Sequence, residues 1–219
     1  MNTKGIKSYI RSVKFQLIFS LVLASLVLTG CPDKEGEEFD PAVLMTDLEK
    51  IQANNMDLPN SQRYTFGGIR YRLSELFRRT YKHDFVLADE YEVRVINQLN
   101  LYFSIERFSE YEAEGILYQF DNDEMSLLDA VHDNYAIKRN ASLEKATISI
   151  KKAVPESVGY PGVMQTISGK NYSRRAGNTY FMATLDINGD IYVAQLIGKE
   201  ENMGYLYDDF IDIISSISI

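Results

Sequence analysis

Few side chains in this sequence could do chemistry, and their spacing restricts what that chemistry could be. Histidine occurs twice. His83 has Asp84 beside it in "RRTYKHDF", and His132 lies in "LLDAVHDNYAIKR", four residues after Leu128 and three before Tyr135. His132 thus sits on or beside the apolar stripe of a helix, where an imidazole is more often a satisfied boundary residue than a general base. No other histidine completes a metal pair, and there is no H-E-x-x-H or cysteine ligand set, so no zinc site is expected. Asp186-Ile187-Asn188-Gly189-Asp190 places Asp, Asn and Asp at alternating positions as a calcium loop does. Its glycine is misplaced and no Glu closes it, so it reads as a hairpin turn. Asp121-Asn122-Asp123 precedes a helix, where carboxylates favour the positive end of the dipole, and reads as a cap. No G-x-S-x-G, Walker or G-x-G-x-x-G segment occurs. Carboxylate pairs such as Glu110 and Glu112 say little in an acidic chain, and nothing singles out a serine for Ser/His/Asp catalysis. No catalytic residue, cofactor or metal is therefore expected. Arg70, Arg72, Arg78, Arg79 and Lys82 form the one basic concentration. It could meet an acidic partner, a lipid headgroup or a glycan, or simply balance neighbouring acids.

The single cysteine has a different use. Residues 1–14 carry Lys4, Lys7, Arg11 and Lys14 and no acid, and residues 15–30 are apolar apart from Gln16 and small hydroxyl residues. A basic n-region followed by an apolar h-region of this length is the layout of a secretory signal. It is short for a membrane-spanning helix, which needs about 20 apolar residues. Leu28-Thr29-Gly30-Cys31 then resembles a bacterial lipobox: an aliphatic residue, two small residues and the cysteine. The resemblance implies that Cys31 becomes the lipidated first residue of the mature protein, through a thioether to diacylglycerol. A single acyl chain holds a protein only marginally, at about 0.8 kcal/mol per buried methylene, so several chains on one residue are needed for a stable anchor. With no other cysteine, intrachain disulfides are excluded.

Cleavage before Cys31 would remove four of the 23 basic residues and none of the 31 acidic ones, leaving 189 residues at a net charge of −12. That balance argues against nucleic acid, whose phosphates require a basic footprint. It argues equally against electrostatic docking onto anionic lipid. The acidic, apolar-poor stretch 32–40 reads as a solvated tether. Its acids resemble a signal for cell-surface display, but Lys34 and Gly36 interrupt them, and a plain spacer facing the periplasm from the outer membrane is expected. The remaining residues 41–219 suit one domain with a sizeable core.

The elements that must carry these residues follow from periodicity. Asp40-Pro41 predicts the start of a short helix reaching Asn54-Asn55. "RYTFGGIRYRL" (63–73) predicts a strand broken or bulged at Gly67-Gly68. Residues 85–96 and 100–108 predict strands. Residues 121–140 predict a helix capped by Asp123 or Ser126, with Leu128, Val131 and Tyr135 on one face. Strands are expected over 145–153 and 162–168. "TYFMATLDINGDIYVAQLIG" (179–198) predicts a hairpin turning at Asn188-Gly189. A closing helix over 205–219 carries the stripe Leu206, Phe210, Ile213 or Ile214, and Ile217. The fold class is α+β, with helices flanking an antiparallel sheet.

The terminal pattern "YFMATLDINGDIYVAQLIGKEENMGYLYDDFIDIISSISI" (180–219) is similar to the PsbP-like and DcrB-like proteins, in which a hairpin leads into a helix bearing an "F..II.S." phrase. That phrase is here Phe210, Ile213, Ile214 and Ser216. "LLDAVHDNYAIKR" followed by a strand also looks like them, whereas "EYEAEGILYQFDNDE" (110–124) departs from their pattern. Over residues 63–219 the resemblance implies an α/β/α sandwich. It also implies a family of lipoproteins or secreted proteins that act mostly without catalysis, as binding or assembly factors. The expectation is a lipid-anchored, non-catalytic envelope protein with a protein partner and an assembly or secretion role. A carrier of a small apolar ligand or lipid comes second, and a hydrolase third.

Overall fold

The computed structural model describes residues 61–81, 85–122, 124–171 and 177–219. The signal, Cys31, the tether, the helix expected from Asp40, and Lys82, His83 and Asp123 lie outside the described residues. Strands β1 (Ser61–Phe66) and β2 (Ile69–Ser74) pair with each other. The second sheet contains β3 (Arg78–Thr80), β4 (Glu90–Ile96), β5 (Leu101–Phe108), β6 (Leu143–Ile148), β7 (Lys152–Ala153), β8 (Gly162–Asn171), β9 (Gly177–Ile187) and β10 (Asp190–Lys199). Its order is β3-β4-β5-β10-β9-β8-β6, with β7 also on β8, and every pairing is antiparallel. Helices α1 (Glu110–Leu117) and α2 (Leu127–Ser142) join β5 to β6, and α3 (Glu200–Met203) and α4 (Tyr207–Ser215) follow β10.

The central strands explain the layering. "YFMATLDI" and "IYVAQLIG" are apolar on both alternating sets of positions, so each strand needs cover on both faces of the sheet. On one face Phe181, Ala183, Leu185, Tyr192, Ala194 and Leu196 meet Ile69, Tyr71 and Leu73 of β2 and Phe210, Ile213 and Ile214 of α4. On the other, Tyr180, Met182, Ile191, Val193 and Ile197 meet Ala113 of α1 and Val131 and Tyr135 of α2. The expected α+β class and flanked antiparallel sheet are observed. The stripe on the closing helix is buried as its spacing requires: Leu206, Phe210, Ile213, Ile214 and Ile217 all lie in the first core.

Several local outcomes differ from the expectation. Gly67 and Gly68 do not bulge one strand; both have positive φ and turn the chain into the β1-β2 hairpin. Two consecutive left-handed residues are what a two-residue hairpin turn needs, and glycine adopts them at no steric cost. The turn is tied to the main sheet by the Tyr192 hydroxyl, which donates to the Gly67 carbonyl. The strand expected from residue 85 starts at Glu90, because the N–H groups of Leu87 and Ala88 donate to the Glu106 carboxylate instead of a neighbouring strand. Helix α1, absent from the expectation, is nucleated by a reciprocal capping box between Ser109 and Glu112. The strand expected over 145–153 is split into β6 and β7, with a register shift between Glu144 and Thr147 and Lys145 at φ 51°. The hairpin over 179–198 forms as expected, with Asn188 and Gly189 both at positive φ.

Phe210 is fully buried and stacks near Phe181, with ring centroids 6.0 Å apart. Replacing it by alanine removes the main bond between α4 and the sheet. Phe210→Ala is expected to cost about 3–5 kcal/mol in urea denaturation, while the exposed Tyr205→Ala stays within about 0.5 kcal/mol of wild type.

Candidate functional site

The groups capable of acid-base chemistry converge under α2. His132, Tyr135 and Arg139 lie at i, i+3 and i+7 of that helix and so share the face pressed on the sheet. Opposite them stand Ser104 and Glu106 of β5, Thr184 of β9 and Gln195 of β10, all with zero exposure. The inward-facing alternate positions of three adjacent strands thus place four polar groups in an apolar layer, and each must find a partner there. Glu106 is the hub. Its Oε2 accepts from Leu87 N at 2.6 Å, from Ala88 N at 3.1 Å and from the Tyr135 hydroxyl. Its Oε1 accepts from Gln195 Nε2 at 3.0 Å. Gln195 Oε1 in turn accepts from Arg139 Nε at 3.3 Å, so the amide relays between the cation and the carboxylate. The Arg139 guanidinium also lies 5.3 Å from the centre of the Tyr180 ring and 5.7 Å from that of Tyr135.

Burial dominates the titration of these groups. Desolvation raises the Glu106 carboxyl above the usual range, although its hydrogen bonds and Arg139 pull the other way. Burial, and then the neighbouring Lys151 charge, lower His132 to about 4. Asp133 and Asp129 oppose that shift, and Lys151 ion-pairs with both at 2.9 and 2.8 Å. The imidazole Nδ1 is 3.0 Å from Thr184 Oγ1. Gln165 adjoins the ring, yet neither His132 Nε2 nor Gln165 Oε1 has a hydrogen-bond partner. His132 belongs to the core rather than its boundary. The imidazole has zero exposure and packs within the layer.

The basic residues divide between two places. Arg78 and Arg79 are exposed on β3, the short edge strand, where charge discourages pairing with another chain. Arg70 and Arg72 lie on β2 and line a pocket of about 350 Å³ with Arg63 of β1, Tyr71, Ser216 and Ser218. Arg63 is the cross-strand partner of Arg72, and Arg70 is two residues along the same strand, so the three project from one face of the hairpin. The end of the chain builds the wall: Arg70 and Ser218 exchange both backbone hydrogen bonds at 2.6 and 2.9 Å, and Ser216 Oγ accepts from Arg72 N at 2.8 Å. Sequence reasoning missed Arg63, Ser216 and Ser218, which only the hairpin and the terminal bridge bring to Arg70. The calcium-like stretch is a turn, with Asp186 Oδ1 accepting from Gly189 N and Asp190 paired to Arg107.

No known family's sequence profile matches this chain, and no curated protein does. Solved structures are similar to it at low identity. The solution structure of cyanobacterial PsbP from Synechocystis is similar at 13% identity and a TM-score of 0.49, over 74% of this chain and 94% of that one. The crystal structure of LpqN, involved in cell envelope biogenesis of Mycobacterium tuberculosis, is similar at 13% identity and a TM-score of 0.40, over 72% and 89%. A Pseudomonas aeruginosa protein of unknown function gives 8% identity and a TM-score of 0.35, over 67% and 88%. These are likenesses of fold, and they assign no role to any residue here.

Two outcomes test the polar layer. His132 takes up a proton in the unfolded chain near pH 6.5 but in the folded one only near 4. Its contribution is therefore fully present above pH 6.5 and disappears as pH falls to 4, a loss of about 3 kcal/mol. Glu106 works in the opposite sense, its raised carboxyl favouring the fold at lower pH. Urea midpoints across that window should fall less steeply in His132→Gln than in wild type. Glu106→Ala strands Leu87 N, Ala88 N, Tyr135 and Gln195 together, and is expected to destabilise by more than about 3 kcal/mol at neutral pH.

Proposed function

We propose that this protein is a lipid-anchored, non-catalytic accessory factor of the bacterial envelope that works by docking a protein partner. The observation that carries the reading is the outer surface of the helical layer. Tyr111 on α1 and Tyr118, the residue that caps its C-terminus, are 83% and 88% exposed, and Ile137 on the adjoining α2 is 57% exposed. Large amphipathic rings held rigidly on a helix are typical binding anchors, since they cover area at low entropic cost. Glu110 and Glu114, also exposed, rim the rings with negative charge, which suits a partner with a basic rim.

The chemistry-bearing residues support the same reading by their placement. His132 and Glu106 have zero exposure, and the hydroxyl beside His132, that of Thr184 at 3.0 Å, is itself fully buried. A carrier would need an enclosed apolar cavity. The pocket at Arg70 is lined by cations and hydroxyls, and a smaller one of about 240 Å³ is lined by groups such as Glu144, Lys145, Lys170 and Glu200. Neither of these two is an apolar enclosure. The lipobox at Cys31 supplies the location, and the solvated tether after it lets the domain reach a neighbour in the envelope.

The test is mass spectrometry of protein and lipid fractions from tagged chain, affinity-purified in mild detergent from its own host's envelope. One protein recovered in stoichiometric amount from wild type and lost from Tyr111→Ser/Tyr118→Ser is the expected result. A specific small apolar molecule with no protein would install the carrier reading instead. Cys31→Ser is expected to move the protein from the membrane to the soluble or uncleaved fraction and to abolish the mass of the acyl groups.

A further inference from the structure

We infer that the pocket between the β1-β2 hairpin and the chain's terminal bridge is a binding site for a phosphoryl group, held by Arg63 and Arg70 with Arg72 and Ser218. It lies on the hairpin side of the sheet, opposite the helical layer, and so goes beyond the docking surface proposed above.

The first reason is charge. In a chain of net charge −8, three guanidiniums line one pocket, two of them directly cross-strand. Arg94 is compensated by Glu92, Arg107 by Glu90 and Asp190, and Arg139 by Gln195 and two aromatic rings. Arg63 and Arg70 make no ion pair with the described residues. An anion in the pocket would supply the countercharge that these two lack.

The second reason is geometry. The backbones that hold the arginines are fixed by the hairpin register and by the reciprocal bonds between Arg70 and Ser218, so the donors are positioned before a ligand arrives. The Tyr71 hydroxyl is engaged by Glu92 at 3.1 Å, and Ser216 Oγ accepts from Arg72 N and donates to the Ile213 carbonyl. What remains for a ligand is donor-rich: the guanidinium forks of Arg63 and Arg70 and the Ser218 hydroxyl. Forked N–H donors match the oxygens of phosphate bidentately, and a phosphoryl group can engage more than one fork at once. A volume of about 350 Å³ lies near the lower end of small-molecule sites and leaves room for the group that carries the phosphate. That group belongs either to a soluble phosphate ester or to a lipid headgroup, since both present the same oxygens.

The experiment is isothermal titration of the full chain in neutral detergent, with inorganic phosphate in one arm and short-chain phosphatidylglycerol in the other, and a short-chain diacylglycerol as the phosphate-free control. Binding in either charged arm, weakened about tenfold or more by Arg70→Gln or Arg63→Gln, supports the site. Phosphate alone assigns it to a soluble phosphate, and tighter phosphatidylglycerol assigns it to a headgroup. Both side chains are exposed, so thermal midpoints of the variants should match wild type. Arg79→Gln, exposed on β3 and outside the pocket, should bind as wild type does. No heat in either charged arm, binding that survives Arg63→Gln/Arg70→Gln, or an equal loss in Arg79→Gln would overturn the inference.

Discussion

The carboxylate of Glu106 is the constraint on which one half of this structure depends. It sits at zero exposure in the layer between sheet and helices, where an unpaired charge would cost several kcal/mol. Satisfying it recruits four donors from three parts of the chain: two backbone N–H groups before β4, Tyr135 from α2 and Gln195 from β10. Each donor is thereby fixed. The segment before β4 is held off the strand ladder, α2 is set in its rotation about its own axis, and Gln195 is oriented to accept from Arg139. An apolar layer of the same shape could slide; this one has a single register, because moving α2 by one residue would strand both the acid and the arginine.

The opposite face is held by different physics. Aromatic and aliphatic groups of β2, β9, β10 and α4 interlock there, with Tyr71, Phe103, Phe181 and Phe210 as the large buried members. Orientation comes from shape and from the hairpin's attachment through Tyr192 and the terminal bridge. The result is a sheet covered twice, with Glu106 and His132 sealed on one side and the arginine-lined pocket open on the other.

Much of the fold was legible because its periodicities were undisturbed. Asn188-Gly189 between two apolar runs announced the central hairpin, and the spacing of Leu206, Phe210, Ile213 and Ile217 announced the face of α4. The misreadings share a physical cause. Gly67-Gly68 permits a bulge or a reversal equally well in local terms, and the choice was made by the burial of Ile69, Tyr71 and Leu73 against the main sheet. Residues 85–89 have strand composition but spend their backbone donors on a side chain distant in sequence. Helix α1 did carry a signal, Ser109 and Glu112 at capping-box spacing, which a search for apolar periodicity passes over.

What the sequence determined by itself were properties carried by neighbours along the chain: a basic then apolar leader with a lipobox-like ending at Cys31, an acidic balance, the alternation of strands and the stripes of helices. Tertiary structure decided everything that depends on residues far apart. It sealed His132 and Glu106 in one layer, separated Arg78 and Arg79 from Arg70 and Arg72, and brought Arg63 and Ser218 to the same pocket across more than half of the chain. Charge and hydrogen-bonding capacity are written in residue types, but whether a group is spent internally or left for a partner depends on what the fold places within about 3 Å of it.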